Sequence, residues 1–225
     1  MGFYNSYLIL LPALILALYA QHKVKGTYRK YSKVASQRGW SGAQTARNLL
    51  DENGLSEIKI EKIPGTLTDH YDPRAKVLRL SAPIHDSSSL SALGIAAHET
   101  GHAIQDSRAY LPLRIRHAIF PATALGTNLA FPLFFIGFFF RNLAFLMNVG
   151  ILFFSAAVIF QIVTLPVERN ASKRALVLLK EGNYLGEEEI SGASKVLSAA
   201  ALTYLAATAM AVMQLLRLLI LRQSR

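Results

Sequence analysis

Residues 118–167, AIFPATALGTNLAFPLFFIGFFFRNLAFLMNVGILFFSAAVIFQIVTLPV, carry one formal charge, Arg141. The two apolar runs on either side, 118–140 and 142–167, each exceed the ~20 residues an α-helix needs to cross a bilayer core. They read as a tight transmembrane hairpin turning at Arg141. Pro121, Pro132 and Pro166 fit this reading, because membrane helices tolerate proline better than soluble ones.

Working outward, residues 1–22 have no charged side chain and make a spanning segment if Phe3 and Tyr4 are included. A cleaved signal peptide wants positive charge before its apolar stretch. Here Lys23, Lys25, Arg29, Lys30, Lys33 and Arg38 follow it, so the segment reads as an uncleaved anchor with its N-terminus outside. Residues 196–216, VLSAAALTYLAATAMAVMQLL, form a fourth stretch whose small residues suit close helix packing. Segments 21–117 and 166–195 hold 20 of the 24 Lys and Arg, and four spans put both in the cytoplasm. Arg217, Arg222 and Arg225 disagree, unless the last segment does not fully cross.

The chain as a whole is 52% hydrophobic and 17% charged, with a mean hydropathy of +0.30. These values exclude an ordinary soluble globule and a disordered chain. The net charge of +10 is mostly a topology signal, since the basic residues cluster beside spans and not on one recognition element, so no nucleic-acid partner is expected. With no Cys, any metal must be held by His, Asp or Glu.

Between the first two spans lies a small domain of mixed polarity. Ser41 is a plausible N-cap for a helix with Ala43, Ala46, Leu49 and Leu50 on one stripe. Residues 58–63 read as a strand, 66–71 as another short one, and 76–81 as a clear alternating strand, with turns at Pro64-Gly65 and Asp72-Pro73. The strand 76–81 could receive an extended peptide by edge addition or lie inside the sheet. Ser87, Ser88 and Ser89 can cap a following helix. The triplet Glu187, Glu188 and Glu189 reads as a solvated loop or a helix start.

That following helix contains His98-Glu99-Thr100-Gly101-His102. Positions i and i+4 share a helix face, so both imidazoles can hold one zinc ion while Glu99 reaches the water it activates. The chance of such a match somewhere in this composition is roughly 0.6%, so the motif carries weight. Catalytic zinc takes three protein ligands and keeps one position open. Candidates for the third are His70, Asp69, Asp72, His117 and Glu168. Glu168 stands out because the hairpin returns it to the membrane face that carries His98 and His102.

Residues 65–73 (GTLTDHYDP), 96–105 (AAHETGHAIQ) and 166–175 (PVERNASKRA), in this order around the hairpin, resemble the YugP-like membrane zinc metallopeptidases, and more distantly the HtpX-type proteases. The resemblance implies a multi-pass α-helical membrane protein with a small α+β zincin-like (gluzincin) cytoplasmic domain. It divides the chain into an anchor (1–22), a metallopeptidase region (23–117), a hairpin (118–167), a helix with the third ligand (168–195) and a C-terminal membrane segment (196–225). It maps the third ligand onto Glu168, implies one zinc per chain, and points to a bacterial cytoplasmic membrane with the site facing the cytoplasm. The HtpX-type Asp four residues after the ligand Glu is Ser172 here, which leaves Ser172 or Asn170 to hydrogen-bond a ligand. The implied reaction is hydrolysis of a peptide or membrane-protein substrate, with Glu99 moving the water proton to the leaving amine. His70, Tyr71 and Arg174 are the candidate oxyanion stabilisers. A site-2-type intramembrane protease would place the motif inside an apolar span, whereas this one lies among Asp86, Asp106 and Arg108. A zinc-stabilised, chaperone-like scaffold would have no use for Glu99.

Overall fold

The computed structural model describes residues 5–224; Phe3, Tyr4 and Arg225 lie outside the described residues. The chain forms two compact units. The first comprises Met1–Gln21, Leu111–Pro166 and Leu202–Arg225, and the second His22–Tyr110 and Val167–Ala201.

Four helices among the described residues are long and apolar enough to cross a membrane. They are α1 (Leu11–Tyr31), preceded by a 3-10 turn at Asn5–Leu10, α5 (Leu111–Phe139), α6 (Phe145–Glu181) and α7 (Glu187–Gln223). Helices α5 and α6 are joined by a 3-10 turn at Arg141–Leu143, where the sequence places the hairpin bend. The Phe-rich run divides between two roles. Phe134 is fully buried with Met147, Phe154 and Leu218, while Phe139 and Phe140 are exposed. Helix α7 runs unbroken past Arg217 to Gln223, so the fourth stretch continues through its arginine. Arg217 is buried, 3.2 Å from Ser6 Oγ through its Nε and 3.6 Å above the Tyr7 ring.

The second unit is built around a three-stranded sheet. Helix α2 (Gly42–Glu52) starts at Ser41, whose Oγ accepts from Gln44 N while Gln44 Oε1 accepts from Ser41 N. This reciprocal capping box satisfies two donors that a helix start leaves open. Strands β1 (Lys59–Ile63), β2 (His70–Asp72) and β3 (Val77–Ser81) lie in the order β1-β3-β2, with β1 parallel and β2 antiparallel to β3.

The second strand thus begins at His70, later than the span 66–71 expected from the sequence, because Gly65 and Leu67 take positive φ and hold the preceding segment in turns. The central strand is β3, with a partner on each side, so it offers no free edge to a peptide. Its burial on both faces, with Val77, Leu78, Leu80 and Ser81 all buried, is the mark of an inner strand. Arg79 reaches both edges, bonding Glu61 of β1 at 3.0 Å and Asp72 of β2 at 2.8 Å.

A short helix α3 (Ala82–His85), not foreseen from the sequence, leads to α4 (Leu90–Ser107). The core gathers Leu49 and Leu50 of α2, Leu78 and Leu80 of β3, Leu93 and Ile104 of α4, Leu179 of α6, and Leu197 of α7. The acidic triplet is the first turn of α7. Glu189 there is no solvated charge, since its carboxylate accepts from Gln37 N and Gly186 N, both at 2.8 Å.

Ser89 caps α4 by accepting from Ala92 N at 3.2 Å. Replacing an N-cap serine by alanine costs about 1 kcal/mol. Ser89→Ala is expected to lower the midpoint of thermal unfolding by about 2–4 °C, while metal affinity measured well below the transition stays unchanged.

Candidate metal centre

The site belongs wholly to the second unit and is made where α4 meets the charged half of α6. Gly101 is the contact. A Cβ built there would lie 2.8 Å from the Ala171 carbonyl oxygen and 3.2 Å from its Cα, so glycine lets the two backbones touch. Ala97, Ala171 and Ala175 are likewise fully buried.

The close approach sets Glu168, one turn before Ala171, opposite His98 and His102. Glu168 Oε2 lies 3.3 Å from His98 Nε2 and 3.5 Å from His102 Nε2, and one ligand atom from each residue falls within 4.8 Å of the others. The two rings stand almost perpendicular, at 87° with centroids 4.7 Å apart.

These distances fit a metal. Ligands about 2.0–2.1 Å from one zinc ion at tetrahedral angles lie about 3.3–3.4 Å apart, which matches both carboxylate–imidazole separations. The charge fits as well. The Glu168 side chain is 4% exposed, and a carboxylate buried so deeply is costly unless a cation or hydrogen-bond donors face its oxygens. The imidazole side chains are 12% and 13% exposed, so the cluster is not sealed from solvent. Burial works against a charge on His102, but Glu168 and Glu99 outweigh it and hold that imidazole above its ordinary range.

Each imidazole is also held from behind. Ser172 Oγ lies 3.1 Å from His98 Nδ1, and Gln105 Oε1 lies 3.0 Å from His102 Nδ1. Gln105 Nε2 donates to Val167 O at 2.8 Å and to Asn170 Oδ1 at 3.0 Å, and Arg174 Nε donates to the same Asn170 oxygen at 2.7 Å. Ser172 thus takes the supporting place the sequence left open for it, whereas Asn170 touches no candidate ligand and instead holds Gln105. Gln105, fully buried, has no role in the sequence reading, although its i+3 spacing from His102 was a usable signal.

Of the other candidates, Asp69 accepts from Ser81 N and Oγ, and burial raises its carboxyl above the ordinary range against those bonds. Asp72 is held low by Arg79 and by the Arg74 and Ala75 amides. His70 is an exposed residue of β2 with Nδ1 2.9 Å from Thr68 O. Tyr71 donates to Asp106, one turn beyond His102 on α4, a carboxylate it shares with Lys76. Burial and that bond push the Tyr71 phenol far above its ordinary value. Arg174 lines a cavity of about 410 Å³ with Arg108, Lys173 and Asn170. The cluster therefore unites His98, His102 and Glu168, with Arg174 joined to it through Asn170 and Gln105.

A family model described as "Putative neutral zinc metallopeptidase" matches residues 6–223. The chain belongs to this family. Within it, the chain is 47% identical over 207 residues to "Putative membrane protease YugP" of Bacillus subtilis (strain 168), covering 92% of each protein. No solved structure matches the chain. For a member of a zinc metallopeptidase family with four long apolar helices, zinc is the implied metal and a membrane the implied setting.

Two substitutions test the centre. In four-ligand structural zinc sites, binding of about 10–16 kcal/mol comes to about 3 kcal/mol per ligand, or roughly two orders of magnitude in affinity. Glu168→Ala is expected to weaken zinc by about that factor in a chelator competition. Gly101→Ala, which alters no ligand, is expected to weaken it at least tenfold by moving α6 away from α4.

Proposed function

We propose that this chain is a membrane-integrated, zinc-dependent endopeptidase whose second unit is a zincin-like domain holding one zinc ion through His98, His102 and Glu168. The observation that carries this reading is the tetrahedral spacing of Glu168 to both imidazoles, with Glu99 on the same helix between them. Zinc, when bound, supplies the Lewis acidity that activates a water and polarises a peptide carbonyl. Glu168 contributes the negative charge that keeps the cation in place. Ser172 and Gln105 orient the imidazoles. Glu99, partly exposed on α4, takes a proton from the attacking water and delivers it to the departing amine.

The site faces the cytoplasm of a bacterial cell on this reading. Support comes from the 20 basic residues of segments 21–117 and 166–195, the positive-inside preference, and the Bacillus relative named as a membrane protease. Peptides and membrane proteins are the substrates, as in quality control of the membrane.

Glu99→Gln in the full chain in detergent is the decisive variant. Zinc content is expected to match wild type, while cleavage of a casein-type substrate falls by about 10²–10⁴, the usual contribution of a positioned base. Unchanged cellular function with this variant would instead favour the scaffold. A tag inserted after Lys33 is expected to be inaccessible from outside intact cells, and labelling from outside would overturn the orientation.

A further inference from the structure

The hydrogen bonds behind His102 have a direction. Arginine can only donate, so Asn170 must present its oxygen to Arg174 Nε, and that oxygen also accepts from Gln105. Val167 O, the second partner of Gln105, can only accept. The Gln105 group facing these two oxygens must therefore be the NH2, which turns Oε1 toward His102 Nδ1. Having no proton to give, Oε1 requires one on Nδ1. The neutral imidazole then keeps its lone pair on Nε2, the atom that faces Glu168. With the amide reversed, its NH2 would donate to Nδ1, the ring proton would move to Nε2, and two acceptor oxygens would meet Oε1. His98 has no such constraint, because the Ser172 hydroxyl can donate or accept.

We propose that Arg174, acting through Asn170 and Gln105, is a positioning residue that fixes the tautomer of His102 so that Nε2 is available to the metal. This rests on the zinc peptidase reading and adds residues to it. Arg174 lies at the cavity end of the chain, away from the helix contact at Gly101, so it can be changed without cutting into the core.

The test uses the full chain, zinc-loaded in detergent, with ¹⁵N-labelled histidine. In wild type, His102 is expected to show a downfield, slowly exchanging Nδ1–H proton and metal-bound Nε2. Gln105→Leu is expected to remove that signal and weaken zinc 10–100-fold, the usual effect of losing such a partner. Arg174→Leu, touching neither histidine, is expected to shift and broaden the His102 signal and weaken zinc about threefold to tenfold. Arg174→Lys, still a pure donor, is expected to restore both to within about twofold of wild type. Ser172→Ala is expected to alter the His98 signal alone. If Arg174→Leu leaves the His102 signal and zinc affinity unchanged, or moves both histidines equally, the proposal is wrong. Failure of the peptidase reading has a different signature: wild type would bind no zinc, yet the neutral metal-free ring at alkaline pH would still hold its proton on Nδ1.

Discussion

The centre depends on one contact, the meeting of the α4 and α6 backbones at Gly101 and Ala171. Two helices normally stay 8–10 Å apart at their axes because side chains intervene. Removing the Cβ at Gly101 and keeping methyl groups at Ala171 and Ala175 allows a closer crossing. His98 and Glu168 are each three residues before the contacting pair, about one turn along their helices. The approach that joins the backbones therefore also joins the candidate ligands. A longer side chain at position 101 would leave each helix intact and still part the carboxylate from the imidazoles, so the motif on α4 is only as good as the residue in its middle.

That closeness creates an electrostatic demand. A carboxylate as buried as Glu168 must be compensated by a cation or by hydrogen-bond donors, and the neighbouring groups are two imidazoles whose rear nitrogens already have partners. The supports differ in character. Behind His98 stands a hydroxyl, indifferent to the direction of the proton. Behind His102 stands an amide whose orientation is set by the Val167 carbonyl and, through Asn170, by the Arg174 guanidinium. A donor-only group at the end of a hydrogen-bond chain acts as a reference direction, and each amide along the chain transmits it. Arginine suits that end better than a hydroxyl or an amide, either of which could reverse.

Local periodicity made much of this legible. The N-cap at Ser41, a serine cap within Ser87, Ser88 and Ser89, the alternation of β3 and the H-E-x-x-H spacing are all read within one element, and the structure contains each. Pairing between distant segments was not legible. Strand β3 alternates whether it is central or at an edge, and only the return of β2 on its far side decides. Gln105 was visible as a letter in the motif, yet its function comes from Val167 and Asn170 on another helix. Glu168 was favoured among five candidates by topology and by resemblance, while the short α3 gave no periodic signal at four residues.

Charge counting has to be read together with the packing at one place. The positive-inside rule treats each Lys and Arg as a loop charge facing one side of the membrane, and by that rule Arg217 argued against a full fourth span. Arg217 instead lies inside the first unit, over the Tyr7 ring and bonded to Ser6. Even at the centre of a spanning helix an arginine costs about 2.5–3.5 kcal/mol on insertion scales, and Arg217 lies at the end of the apolar stretch 196–216. A desolvated cation–π contact returns about 2 kcal/mol, and a hydrogen bond from a charged donor about 1.5–3 kcal/mol. The two together, about 3.5–5 kcal/mol, offset that cost, so α7 can run on to Gln223 with its arginine in place. A basic residue with partners inside the fold has ceased to report on topology, and the sum of +10 should be read after such residues are set aside.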